Sequence, residues 1–150
     1  MPLRMRKAEG KDIKDLCVLM DEMSHTAISL EDMLNRLHMV WESNIDMLFV
    51  CEDEGQIQGL LGFRIRENLE EVSRFGEISA IVVNHDSRRN GVGRFMMDYA
   101  EKLGGEFHCK GMWLVSGFAR KEEAHKFYEQ LGYQTTGYRF VKLFQQPKGA

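Results

Sequence analysis

Apolar positions along the chain recur with two spacings, and the switches between them predict the elements. Leu3 to Ala8 alternates apolar and polar side chains, the period of a half-buried strand. After Asp12, which reads as an N-cap, Ile13, Leu16, Cys17, Met20 and Met23 follow at helical spacing. A second helix is predicted from Ser29, with Ser29 and Asp32 as a capping-box-like pair and Ile28 and Met33 as a hydrophobic staple. Its predicted buried stripe is Leu30, Met33, Leu34, Leu37 and Trp41. Met47 to Glu67 reads as two strands around a short turn, where Gly55 supplies the positive φ of a tight hairpin. Phe75 to Val83 is a further strand. Gly91 to Leu103 is a helix with Phe95, Met96, Tyr99 and Leu103 inward, and "GMWLVSG" from Gly111 is a strand. Lys121 to Leu131 is a helix that Gly132 ends. Tyr133 to Phe144 closes the chain as one broken or two short strands. The order β-αα-βββ-α-β-α-ββ predicts an α/β chain of mixed type, with one mixed sheet flanked by helices.

The length, 150 residues, suits a single domain over 1–150. Hydrophobic residues make up 43% and charged residues 29%, the balance of a globular domain rather than a disordered or membrane one. The polar N-terminus, "MPLRMRKAEGKD", is unlike a signal peptide, so a cytoplasmic protein is expected. Cys17, Cys51 and Cys109 lie far apart with no metal-ligand spacing, which predicts reduced thiols and no metal. A net charge of −3 argues against general nucleic-acid binding. A pairing edge in Tyr138 to Phe144 suits a homodimer.

The chemistry concentrates in "SRRNGVGRFMM", Ser87 to Met97, between a predicted strand and a predicted helix. A helix N-terminus presents unpaired N–H groups and a partial positive charge. Glycine at 91 and 93 lets a phosphate approach the backbone, and Arg88, Arg89 and Arg94 add charged donors. A plain turn with solvated arginines is the competing reading. The turn is neither a P-loop nor a dinucleotide fingerprint, since no Gly-Lys-Ser/Thr follows and Met96 stands where the third glycine would be.

Two motifs together extend the reading. Arg88 to Gly93 gives R-x-x-G-x-G after "GEISAIVV", and Ala124, Phe127, Tyr128, Gly132 and Tyr133 give A-x-x-F-Y-x-x-x-G-Y. In these the chain resembles the GCN5-related N-acetyltransferase (GNAT) family. The resemblance implies the GNAT fold, acetyl-coenzyme A as the donor and N-acetylation of a primary amine. The pyrophosphate would then lie on the amides from Arg89 through Asn90, Gly91, Val92 and Gly93 to Arg94, and the pantetheine arm on the backbone of Ile81, Val82 and Val83. Ser116 and Arg120 fall where pantetheine or adenine contacts occur in the family. Lys121 stands where many members have an Asn that contacts the coenzyme.

For the chemistry, Tyr128 matches the family's general acid, with core packing as the competing role. Glu77 occupies the position of the catalytic glutamate of histone-acetylating members; a water relay is the alternative base. By alternation, Glu77 is expected to share a strand face with Ser79, Ile81 and Val83. His125, one turn from Tyr128, reads as a partly exposed helix residue or an assistant, and His85 takes no role. Acceptor-lining candidates are Met23, His25, Trp41, Arg64, Arg66, Glu70, Glu71 and Arg139. Their signals conflict. The acidic run "ENLEE", Glu67 to Glu71, with Glu77 suits a polyamine or aminoglycoside, whereas Arg64, Arg66 and Arg139 suit an anionic acceptor, and the tail is similar to aminoalkylphosphonate acetyltransferases. Protein N-terminal or lysine acetylation, and a non-catalytic acyl-coenzyme A sensor, are further alternatives.

Overall fold

The computed structural model describes residues 2–88, 90–116 and 122–145. The chain divides into two compact units, Met1–Leu114 and Val115–Ala150. In the first, the N-terminal alternation becomes β1 (Leu3–Lys7), an edge strand antiparallel to β2 (Asp46–Asp53). β2 returns antiparallel through β3 (Gln56–Glu67) and β4 (Arg74–Val83), and β5 (Gly111–Leu114) joins β4 in parallel. The result is one mixed sheet in the order β1-β2-β3-β4-β5, the class expected from the pattern. Glu54 and Gly55, at φ 50° and 81°, make the β2–β3 turn, which requires left-handed backbone at both positions.

Residues directly opposite in an antiparallel ladder share a face. One face carries Val50, Leu60 and Val82 and is covered by α1 (Ile13–Ser24) and α2 (Leu30–Glu42), whose Leu16, Leu19, Met33 and Leu37 complete the main core. The other carries Phe49, Leu61 and Phe63 against α3 (Val92–Glu106); Phe49 packs edge-on to Tyr99 and Phe63 faces Phe107. Gly59 permits the approach of α3, because a Cβ there would lie 2.8 Å from Met96 Cε.

Several local expectations are corrected. Asp12 occupies the N-cap position of α1 as expected, but its side chain does not cap the helix. Its carboxylate is buried and accepts from Arg6 Nη1 and Nη2 at 2.8 Å and from the Glu9 amide at 2.8 Å, while Arg6 Nε also donates to Glu52 at 3.1 Å. Ser29 caps α2 as expected, accepting from Asp32 N at 3.0 Å. The α2 stripe is narrower than predicted. Met33 and Leu37 are buried, but Leu30, Leu34 and Trp41 are exposed, and the Trp41 indole reaches back to donate to Ala8 O at 3.1 Å. Met23 is likewise exposed rather than inward.

In the second unit, α4 (Glu123–Gln130) ends on Gly132 at φ 95°, with Tyr133 N donating to Tyr128 O at 3.0 Å, a left-handed C-terminal cap. Residues 134–145 carry no strand pairing among the described residues, where one or two closing strands were expected. Tyr138, Phe140 and Phe144 keep the alternation but stand exposed. Alternation supplies a face, whereas a ladder needs a partner edge. No helix among the described residues is long and apolar enough to cross a membrane.

Candidate active site

The site begins where β4 and β5 part. Their parallel ladder runs from Phe75↔Gly111 to Ile78↔Leu114 and stops. β4 continues to Val83, still paired with β3 on its other side. From Ser79 to Val83 the β5-side edge therefore has no strand partner among the described residues, and its N–H and C=O groups are available to an extended ligand in the manner of an added strand.

A bulge sits at the same point. Phe63 pairs with Ile78 and Gly62 with Ala80, so Ser79 is the extra residue. It reverses the alternation beyond it, which corrects one expectation. Glu77 pairs with Arg64 on the face that α1 and α2 cover, whereas Ile81 pairs with Leu61 and Val83 with Gly59 on the α3 face. Glu77 thus does not share a face with Ile81 and Val83. Ser79 itself remains exposed on the Gly62 side, where a Cβ on Gly62 would strike its hydroxyl.

The end of β4 is anchored before the glycine turn. Asn84 N donates to Gln58 O at 2.7 Å, and the buried Ser87 hydroxyl donates to the Gln58 side-chain oxygen. Asn84 Oδ1 accepts from Asp86 N at 3.1 Å, closing a short 3₁₀ turn over His85–Ser87. The chain then passes exposed Arg88 and Asn90 to Gly91, whose φ of 80° lies in the left-handed region. Arg89 lies outside the described residues. α3 starts at Val92 with no side-chain cap and no acidic residue in its first turn. The first-turn amides, Val92, Gly93 and Arg94 among them, have no intrahelical acceptor, and a Cβ on Gly91 would meet nothing within 4 Å. These donors, the space before them and the Arg88 and Arg94 side chains form a cradle that fits a phosphate group.

Around Glu77 the sheet face is charged. Arg66 Nη1 donates to Glu77 Oε1 at 3.1 Å, and the Arg66 guanidinium lies 4.5 Å from the centroid of the Trp113 ring. The Glu77 side chain is 17% exposed and that of Arg66 45%. Trp113 stands opposite Glu77 in the parallel register. Arg64 approaches Asp46 at 3.7 Å. The sequence reading named Arg66 but missed Trp113, because a tryptophan inside "GMWLVSG" reads as core. Gln58 was missed too; it is the extra residue of a second bulge, on β3 opposite Cys51 and Glu52, that sequence does not mark.

The second unit holds the other candidates. On α4, the Tyr128 ring packs edge-on against Phe127 at 5.4 Å and against Tyr133 at 6.2 Å between centroids. His125 is half-buried, as expected, and its Nε2 is buried without a hydrogen-bond partner among the described residues. Ser116 is half-buried; Arg120 and Lys121 lie outside the described residues. Of the remaining acceptor candidates, His25 ends α1 at φ 57° and lines an open hollow of about 640 Å³ with Asp21, Glu22, His85 and Arg88.

The fold is thus a mixed sheet whose fourth and fifth strands part beside a helix N-terminus preceded by a left-handed glycine. The family model for the acetyltransferase (GNAT) family matches residues 15–133, and the chain belongs to that family, which makes it an N-acetyltransferase. No curated protein matches the chain. Among solved structures, a transcriptional regulator from Bacillus halodurans C-125 superposes with a TM-score of 0.87 at 18% identity, covering 95% of this chain and 99% of that one. A glucosamine-6-phosphate N-acetyltransferase from Arabidopsis thaliana gives 0.80 at 20% identity, over 97% and 100%. An aminoglycoside N-acetyltransferase, AAC(6')-Iy, in complex with CoA gives 0.79 at 15% identity, over 96% and 94%. At these identities the likeness is one of fold.

Proposed function

We propose that the protein transfers the acetyl group of acetyl-coenzyme A directly to the primary amine of a small molecule. The observation that carries the reading is the open β4 edge, Ser79 to Val83, running straight into the Gly91 turn and the uncapped start of α3. Edge amides and carbonyls suit the pantetheine arm, and the turn amides with Arg88, Arg89 and Arg94 suit the pyrophosphate. Ser116 and Arg120 complete the coenzyme contacts in this reading.

The coenzyme supplies an acyl group already activated as a thioester. An alkylammonium, titrating near ~10 like lysine, must first lose a proton, and Glu77 or a water beside it takes it. The amine nitrogen then bonds to the thioester carbonyl carbon, and the carbon–sulfur bond breaks. Tyr128 gives its phenolic proton to the departing thiolate and recovers one, through water, from the former amine nitrogen. One proton is released overall. A cytoplasmic location belongs to the same proposal.

Thiol release on mixing the protein with acetyl-coenzyme A and a panel of amines tests the reading. Release that depends on an amine is expected. Absence of release with every amine class, including peptides, would leave a binding module instead of an enzyme.

A further inference from the structure

The charges of the acceptor side are partly paired already, and the pairing narrows the substrate. The acidic run from Glu67 to Glu71 would suit a polycation if its carboxylates faced solvent alone. Instead Glu67 Oε1 lies 2.6 Å from Arg74 Nη2, and Glu71 accepts from Ser73 Oγ at 2.8 Å and from Lys110 Nζ at 3.3 Å. Asn68 Nδ2 donates to Ser73 Oγ at 2.8 Å, and Arg74 Nη1 donates to Phe107 O at 3.1 Å. Two of its three carboxylates thus fasten the β3–β4 loop, Glu67 to the start of β4 and Glu71 to the residue before β5.

Arg66 differs. Trp113 holds its guanidinium by one face, a cation–π geometry that limits its rotation. One of its N–H groups serves Glu77, and nearly half of the side chain remains exposed. A guanidinium offers a planar fork that matches two oxygens of a carboxylate or a phosphoryl group. Glu77, its neighbour at 3.1 Å, presents the opposite charge on the same sheet face.

We propose that the Arg66–Glu77–Trp113 cluster selects an acceptor carrying an oxyanion a few bonds from its primary amine. The oxyanion docks on the Arg66 fork and the amine on the Glu77 carboxylate, so the acceptor lies against the pair with its own charges reversed. Two to four bonds of about 1.5 Å each span the offset between the two partners. A polycation brings a charge against Arg66 with nothing to answer it, and a neutral chain leaves the fork unused. The inference rests on the transferase reading and adds the substrate class to it.

The test measures thiol release by the full-length protein with acetyl-coenzyme A and four amines: 2-aminoethylphosphonate, β-alanine, ethanolamine and spermidine. The first two are expected to exceed the last two by about tenfold or more in kcat/KM, as for a charge-assisted contact. The phosphonate and carboxylate arms show which oxyanion fits better. Arg66→Gln should reduce the preference for 2-aminoethylphosphonate over ethanolamine by about tenfold, mainly through KM, and Arg66→Lys should restore part of it. Calorimetric binding of 2-aminoethylphosphonate that Arg66→Gln abolishes also supports the proposal where turnover is slow. A wild-type enzyme that prefers spermidine or ethanolamine, or a preference unmoved by Arg66→Gln, overturns the substrate class and leaves the transferase reading intact. Neither binding nor turnover of 2-aminoethylphosphonate and β-alanine overturns it as well, and the response to acetyl-coenzyme A alone then shows whether the transferase reading has also failed.

Discussion

Two side chains divide the burden of chemistry and stability. Tyr128→Phe removes one oxygen and keeps the ring that packs on Phe127 and Tyr133. If the phenol protonates the thiolate, kcat and kcat/KM fall together, by roughly 10²–10⁴, with little change in KM for acetyl-coenzyme A. The loss should deepen as pH falls, and a steady-state pH profile checks it. Asp12 is the stability counterpart. Burial pushes its carboxyl up, but the hydrogen bonds from Arg6 and the Glu9 amide, with the Arg6 charge, hold it below the usual carboxylate range. A depressed folded value means the contribution is present above the unfolded value, about 3.9, and is lost as pH falls through the folded one. Urea unfolding should thus give a stability that drops below about pH 4, and Asp12→Asn should cost about 2–3 kcal/mol near neutrality while flattening that drop. The sequence marked Asp12 as a helix start and not as the partner of Arg6, because a cap is a local signal and this pair is made by the packing of β1 against the first turn of chain after it.

At the scale of elements, the turn into α3 separates binding from folding. Gly91 adopts φ 80° with open space where a Cβ would go. Gly91→Val should weaken acetyl-coenzyme A binding in calorimetry far more than it weakens the fold, since the left-handed backbone costs only about 1–2 kcal/mol and no core contact is lost. Unchanged affinity would reduce the glycine to a turn former. This element was legible because glycine and arginine spacing is a local pattern. The bulge at Ser79 was not. Nothing in "GEISAIVV" distinguishes a regular strand from a bulged one, since the extra residue is fixed by the partner strand β3. The closing segment 134–145 shows the converse case, an alternating pattern without a ladder among the described residues.

For the whole molecule, ligand linkage gives the broadest prediction. Acetyl-coenzyme A at about 100 times its dissociation constant adds about 2.7 kcal/mol to a fold that binds it only when native. For 150 residues that corresponds to a rise in Tm of roughly 5–10 °C, read by calorimetry, with little from NAD or ATP. The family was legible because its two motifs are short and local, whereas the Arg66–Glu77–Trp113 cluster was not, because its members meet only through strand register. That register has a further result. The bulge resets the alternation of β4, so that Glu77 before it lies on the face of α1 and α2 whereas Ile81 and Val83 after it lie on the face of α3. Exchanges at Arg64, Arg66 or Trp113 therefore fall on the face opposite to the side chains of Ile81 and Val83. A lineage, or a combinatorial library, can vary these positions while inheriting the α3 side of the sheet unaltered.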